Sequence, residues 1–255
     1  MSGANPFITF VSVDALSEIV KNLERRWGLT LVSFVPPKAQ QEIIQLQSQL
    51  LARIDGGTRQ YLELYQPESL HLTHLTLTRS NPQGPVSVDA LVKPQHDLYE
   101  LFDLIHAVAS EIGPITVELD RCAVTYDGLG VILLGRCSDD VSLTHRRQLL
   151  ERLNEALPAA FNVSRRHWDT DSAKYGDVHC SVAFLKRPIP QGYDAFRDGV
   201  KGARVDPIAF SLKEITLVHH QYRTLATPQA GSFSFPLGEK IRAARREFVQ
   251  RINLV

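Results

Sequence analysis

The sequence is short of the features that announce several large protein classes. Its three cysteines, Cys122, Cys137 and Cys180, have no metal-ligand spacing, and an odd number argues against a disulfide framework. No apolar run reaches the roughly 18 residues that a membrane span needs. The opening MSGANPFITFVSVDALSEIV lacks the basic start and long apolar centre of a signal peptide. Neither charge is in excess: Lys plus Arg and Asp plus Glu number 28 each. A chain with no net charge is poorly suited to tracking long nucleic acid, because such affinity comes from neutralising many phosphates. A patch around one or two phosphates stays open to it. Linkers and low-complexity tracts are missing, as are His-Glu-x-x-His and Asp-rich loops that would hold a metal. We expect a single soluble, cytoplasmic, monomeric domain over residues 1–255, with no cofactor, membrane or protein partner implied.

What is present is an interspersed series of helices and strands. Residues 13–27 carry Ala15, Ile19, Val20 and Leu23 near helical spacing. LTLVSFVPP (Leu29 to Pro37) reads as a strand stopped by two prolines, and proline also opens the helix KAQQEIIQLQSQLLARI. PESLHLTHLTLTRS (Pro67 to Ser80) is the next strand. DLYELFDLIHAVASEI is a helix ended by Gly113-Pro114, and ITVELDRCAVTYDGLGVILLGRC is a hairpin around Asp127-Gly128. LTHRRQLLERLNEALPAAF reads as helix, DVHCSVAFLKR as strand and DAFRDGVKGA as a short helix. FSLKEITLVHHQYRTL and GSFSFPL close the chain as strands. The hairpins favour antiparallel pairing, hence an α+β fold over a doubly wound parallel sheet.

One strand echoes another. HLTHLTLTRS from His71 and HCSVAFLKRP from His179 match His71 with His179, Thr73 with Ser181, Leu77 with Leu185 and Arg79 with Arg187. Strict alternation puts His71 and Thr73 on one face of their strand, and His74 and Thr76 on the other. A histidine followed by a hydroxyl is ordinary strand composition; its recurrence about a hundred residues later is the informative part.

These paired His-hydrophobic-Thr/Ser elements, each on a strand, resemble the signature of the 2H phosphoesterases. LTLVSFVPP before a helix and PESLHLT, then EITLV before FSFPL, resemble that family's usual beginning and end. The resemblance covers residues 29 to 237 and leaves short extensions at both ends. It implies a LigT-like α+β fold: two similar lobes with antiparallel sheets flanked by helices, and an active cleft between them. It also implies a metal-independent phosphodiesterase acting on RNA-type 2′,3′-cyclic or 2′-5′ phosphodiesters, or on a small cyclic nucleotide phosphate. His71 and His179 would form the acid-base pair, with Thr73 and Ser181 as phosphate donors. The residues before the first histidine favour His71, whereas the apolar residue after the hydroxyl favours His74 with Thr76, so that pair remains the alternative. A noncatalytic RNA- or nucleotide-binding module and an RNA ligase are the rival functions.

The chemistry fits these side chains. Cleaving a cyclic phosphodiester needs one proton removed and another delivered, and imidazole populates both forms near neutrality. Hydroxyls can donate to nonbridging oxygens as charge builds. Two residues along a strand is about 6.5–7 Å, within reach of the same phosphate. Arg79 and Arg187 are candidates to meet phosphate, and Tyr175, with Tyr126, Trp168 and Tyr222, to stack on a base. Of the adjacent His219 and His220, one must face each side of the sheet. His145 and His167 read as surface residues, Cys180 as a small buried apolar residue, and AARREFVQR as a solvated basic helix face.

Overall fold

The proline-opened helix begins where the sequence places it. In the computed structural model, α1 runs Pro37–Arg53, with a proline at its first turn and Ala39, Ile43, Leu46, Gln47 and Leu50 on its buried stripe. The structure describes residues 28–79, 95–125, 128, 130–157, 161, 176–186, 189, 192–220, 231–241 and 245–253. The expected helix over 13–27 lies outside them, as do Tyr126, His167, Trp168, Tyr175, Arg187 and Tyr222.

The longer helices that follow among the described residues are α2 (Gln95–Glu111), α3 (Asp140–Ala156), α4 (Tyr193–Lys201) and α5 (Arg245–Asn253), with single turns at Gly56–Arg59 and Pro67–Ser69. α3 starts three residues before the expected position, because the Asp139 carboxylate accepts from the Ser142 N–H at 2.7 Å and caps it. The strands are β1 (Gly28–Phe34), β2 (Leu62–Leu64), β3 (His71–Arg79), β4 (Ile115–Val124), β5 (Gly130–Cys137), β6 (Asp177–Leu185), β7 (Ile208–Leu212), β8 (Glu214–His220) and β9 (Ser232–Pro236). Gly128 takes a positive φ of 73° in the β4–β5 turn, the role its place after Asp127 predicts.

The two expected lobes are halves of one antiparallel sheet, in the order β7-β4-β5-β6-β3-β1-β8-β9, with β2 pairing with β6 off this path. The chain repeats itself: β1-α1-β3-α2-β4 is followed by β5-α3-β6-α4 and, after β7, β8. Each repeat sends its last strand into the other's half, β4 beside β5 and β8 beside β1. The run read as one closing strand, FSLKEITLVHHQYRTL, is two: β7 pairs with β4, and β8 pairs with β1 and β9. Only Lys213 separates them, so opposite ends of the sheet lie within about two Cα steps, roughly 7 Å. The sheet is therefore curled.

The C-terminal segment expected as a solvated basic helix is partly core. Phe248 and Ile252 of α5 are fully buried, and Phe248 packs against Phe102, Phe233 and Phe235. Its arginines stay on the surface, where Arg245 pairs with Asp103 at 2.6 Å. His145 is half-buried, and its Nδ1 bonds the Pro114 carbonyl at 3.0 Å, so it ties α3 to the loop before β4.

Candidate functional site

β3 and β6 meet at one pair, Leu72 opposite Cys180, both on the helix-covered face and buried. Counting one residue outward on each strand sets His71 opposite Ser181 and Thr73 opposite His179, all on the other face. The arrangement is two-fold, because Leu72 and Cys180 are themselves equivalent positions of the internal repeat. Antiparallel geometry puts diagonal neighbours such as His71 and His179 about 7–8 Å apart, room for one phosphate between them.

The ladders on either side correct the expectation of strict alternation. Along β1 and β3, Phe34 pairs with His71, Val32 with Thr73, Leu31 with Leu75 and Thr30 with Thr76. His74 is skipped. A bulge there keeps His74 beside Leu72 and Leu75 on the covered face, and returns Thr76 to the face of His71 and Thr73. β6 does the same at the equivalent place: Ile132 pairs with Ser181 and Val131 with Ala183, so Val182 is skipped.

His71 is buried, at 8% exposure, and its Nδ1–H donates to the Ser69 carbonyl at 2.7 Å, leaving Nε2 with its lone pair. The ring sits edge-on to Phe34 and tilted against Tyr65, with centroids 6.4 and 6.3 Å away. Burial pushes its pKa down to about 4, opposed by the Ser69 bond and helped by the charge of His179. His179 keeps ring surface in solvent, yet protein crowds it enough for desolvation, and then Arg146, to lower its pKa.

His74 is 1% exposed and otherwise engaged. The Ser33 hydroxyl donates to the Glu214 carbonyl at 2.6 Å and so accepts from His74 Nε2–H at 2.9 Å. Burial, then Arg146 and His71, holds the pKa of His74 down at about 3. The alternative pair is thus divided between faces, and only Thr76 shares the face of His71. Cys180 is buried and its thiol is pushed up to about 12, an inert residue as expected. Arg79 pairs with Gly28 at the end of β3, but its side chain, like that of His220, lies outside the described residues. His219 faces the covered side and bonds the Ile252 carbonyl of α5 at 3.1 Å. Among the described residues, no three His, Cys, Asp or Glu side chains are grouped to hold a metal ion, and no helix is long and apolar enough to cross a membrane.

Sequence reading missed Arg146, Ser33, Gln47 and Tyr65. Arg146 left a signal: it shares the helical stripe of Ser142, Leu149, Leu150 and Leu153, and is itself 2% exposed. The other three show themselves only through contacts with residues remote in sequence.

No family model matches the chain, and no curated protein is significantly similar to it in sequence. Solved structures do match. TT0787 of Thermus thermophilus is 17% identical, over 84% of this chain and 100% of that one, with a TM-score of 0.50. Escherichia coli LigT complexed with 3′-AMP is 12% identical over 84% and 95%, with a TM-score of 0.43, and a phosphoesterase is 15% identical over 84% and 95%, with a TM-score of 0.44. The likeness concerns the fold, and on that the chain is plain: it shares the fold of TT0787, an α+β fold with a curled antiparallel sheet and flanking helices.

Proposed function

We propose that the protein is a 2H-type phosphodiesterase that opens RNA-type 2′,3′-cyclic or 2′-5′ phosphodiesters, or a small cyclic nucleotide phosphate, without a metal. The observation that carries this reading is the two-fold placement of His71, Ser181, Thr73 and His179 on one face about the Leu72–Cys180 pair. His71, with Nε2 unprotonated and its pKa near 4, is the base. It takes a proton from water as the water oxygen bonds phosphorus. His179 delivers a proton to the ribose oxygen as that P–O bond breaks, leaving a phosphomonoester. Thr73 and Ser181 donate hydrogen bonds to the nonbridging oxygens, whose charge grows toward the transition state.

The rest of the substrate lies over β5 and β4. Across the sheet, His179 neighbours Leu134 and then Arg121, and Ser181 neighbours Ile132 and then Ala123. These four side chains keep solvent contact. On the opposite flank Thr30, Val32, Thr216 and Val218 are 6%, 0%, 2% and 0% exposed, which leaves no surface for a ligand.

The test is hydrolysis of a nucleoside 2′,3′-cyclic phosphate in excess EDTA. Turnover should persist and fall by about 10²–10⁴-fold in each of His71→Ala and His179→Ala, both still folded. Full activity in either variant overturns the assignment. Tight binding of the nucleotide with no turnover would favour a binding module instead.

A further inference from the structure

Each motif strand inserts one unpaired residue directly after its Thr/Ser, His74 after Thr73 and Val182 after Ser181. A bulge bends its strand and re-aims the neighbouring side chains, so the direction of each hydroxyl depends on how firmly the bulge is held. The two are held by unrelated means. On β3 the bulged residue is the anchor: His74 Nε2–H donates to Ser33, which donates to the Glu214 carbonyl, linking β3, β1 and β8 beneath Thr73. On β6 the bulged residue is apolar and its carbonyl is the anchor. The Val182 carbonyl accepts from the side-chain amide of Gln47 at 2.8 Å and from the Tyr65 N–H at 3.0 Å. The same Gln47 amide donates to the Tyr65 carbonyl at 2.9 Å, and the Tyr65 ring packs on His71. Gln47 is 3% exposed and Ser33 is 1% exposed, so neither touches a substrate.

We propose that Gln47 and the Ser33–His74 pair are positioning residues: they lock the two bulges, and thereby aim the hydroxyls of Ser181 and Thr73 at the phosphate. This rests on the reading that those hydroxyls serve the phosphate, and deepens it. Sub-ångström aim matters because a misplacement of about 1 Å can cost about 10²-fold in rate. A buried glutamine in α1 and a buried histidine that takes no part in proton transfer then both have a use.

Double-mutant cycles on the full-length protein test it, with a nucleoside 2′,3′-cyclic phosphate as substrate. Gln47→Met and Ser33→Ala should each lower kcat by about 10-fold or more, with KM changed less than about 3-fold. Each effect should vanish where its own hydroxyl is already gone: Gln47→Met should cost nothing further in Ser181→Ala, and Ser33→Ala nothing further in Thr73→Val. The crossed pairs, Gln47→Met with Thr73→Val and Ser33→Ala with Ser181→Ala, should remain additive. A purely structural role predicts the same loss in every background, and that result overturns the proposal. So does wild-type kcat in both single variants. If Gln47→Met does not give a cooperative melt, the Ser33–Thr73 cycle decides alone. If Thr73→Val and Ser181→Ala themselves leave kcat unchanged, the phosphate-donor role fails first and takes this inference with it.

Discussion

The three histidines of the two motif strands are treated differently by their surroundings. His74 donates to Ser33 deep in the sheet, His71 is fixed by one carbonyl, and His179 keeps solvent on its ring. Desolvation disfavours the charged imidazole in all three, so all three pKa values fall below 6.5, those of His74 and His71 furthest. The consequence for rate has a definite sign. With His71 as the proposed base, it must be neutral in the free protein, so kcat/KM should rise with pH through about 4. With His179 as the proposed acid, it must be protonated, so kcat/KM should fall again as pH climbs through a value below 6.5. The profile should be a bell with its optimum on the acid side of neutrality. A measured kcat/KM that keeps rising between pH 6 and 9 contradicts the assignment of roles.

At the scale of elements, the internal two-fold is broken by burial. β5 and β1 occupy equivalent places beside the two motif strands, yet Ile132 and Leu134 of β5 are half-buried while Thr30 and Val32 of β1 are buried. On the proposed reading, the β5 flank is the one that receives the nucleoside. Leu134→Glu sets a carboxylate beside His179 on that flank. It should raise KM for a nucleoside 2′,3′-cyclic phosphate by about 10-fold, the order expected from losing roughly 1–2 kcal/mol of apolar contact together with added charge repulsion. Steady-state kinetics with purified variant checks this, and an unchanged KM would move the nucleoside elsewhere. The helices show the same dependence on neighbours. The basic residues of α5 were legible as a surface face, but the burial of Phe248 and Ile252 depends on Phe102, Phe233 and Phe235 from α2 and β9.

For the whole molecule the charge balance sets the range of attraction. With 28 residues of each sign there is no net field to draw in a polyanion. The proposed one-phosphate site, with Arg121 two strands away, should engage one to three phosphates. Each contributes about 0.7 to the logarithmic salt slope for a single strand, so the slope should be no steeper than about −2. Titrations of His179→Ala with a mononucleotide and with a long RNA of the same terminal chemistry, across potassium chloride concentrations, measure it. A steep slope with strong preference for the long RNA would contradict this reading.

What depends on neighbours along the chain could be read directly from the residues. Period-two runs marked the strands, apolar stripes marked the helices, proline and Asp-Gly marked their ends, and the matched His71 and His179 elements marked the two strands that meet. Their patterns are enough for an α+β fold with two similar halves, but the single sheet and the shared face of His71 and His179 come from the pairing of β3 with β6. Tertiary structure alone decided the rest. A bulge leaves Leu75 and Leu77 as apolar as alternation would, so the sequence cannot show that His74 is skipped and Thr76 returned to the site face. Nothing local tells that the chain changes partners at Lys213, because β7 and β8 are paired with strands remote in sequence, β4 and β1. Ser33 and Gln47 are ordinary polar residues until the fold brings them under His74 and Val182. Buried hydrogen bonds of that kind form only between groups that packing has already desolvated, and packing is a property of the assembled sheet.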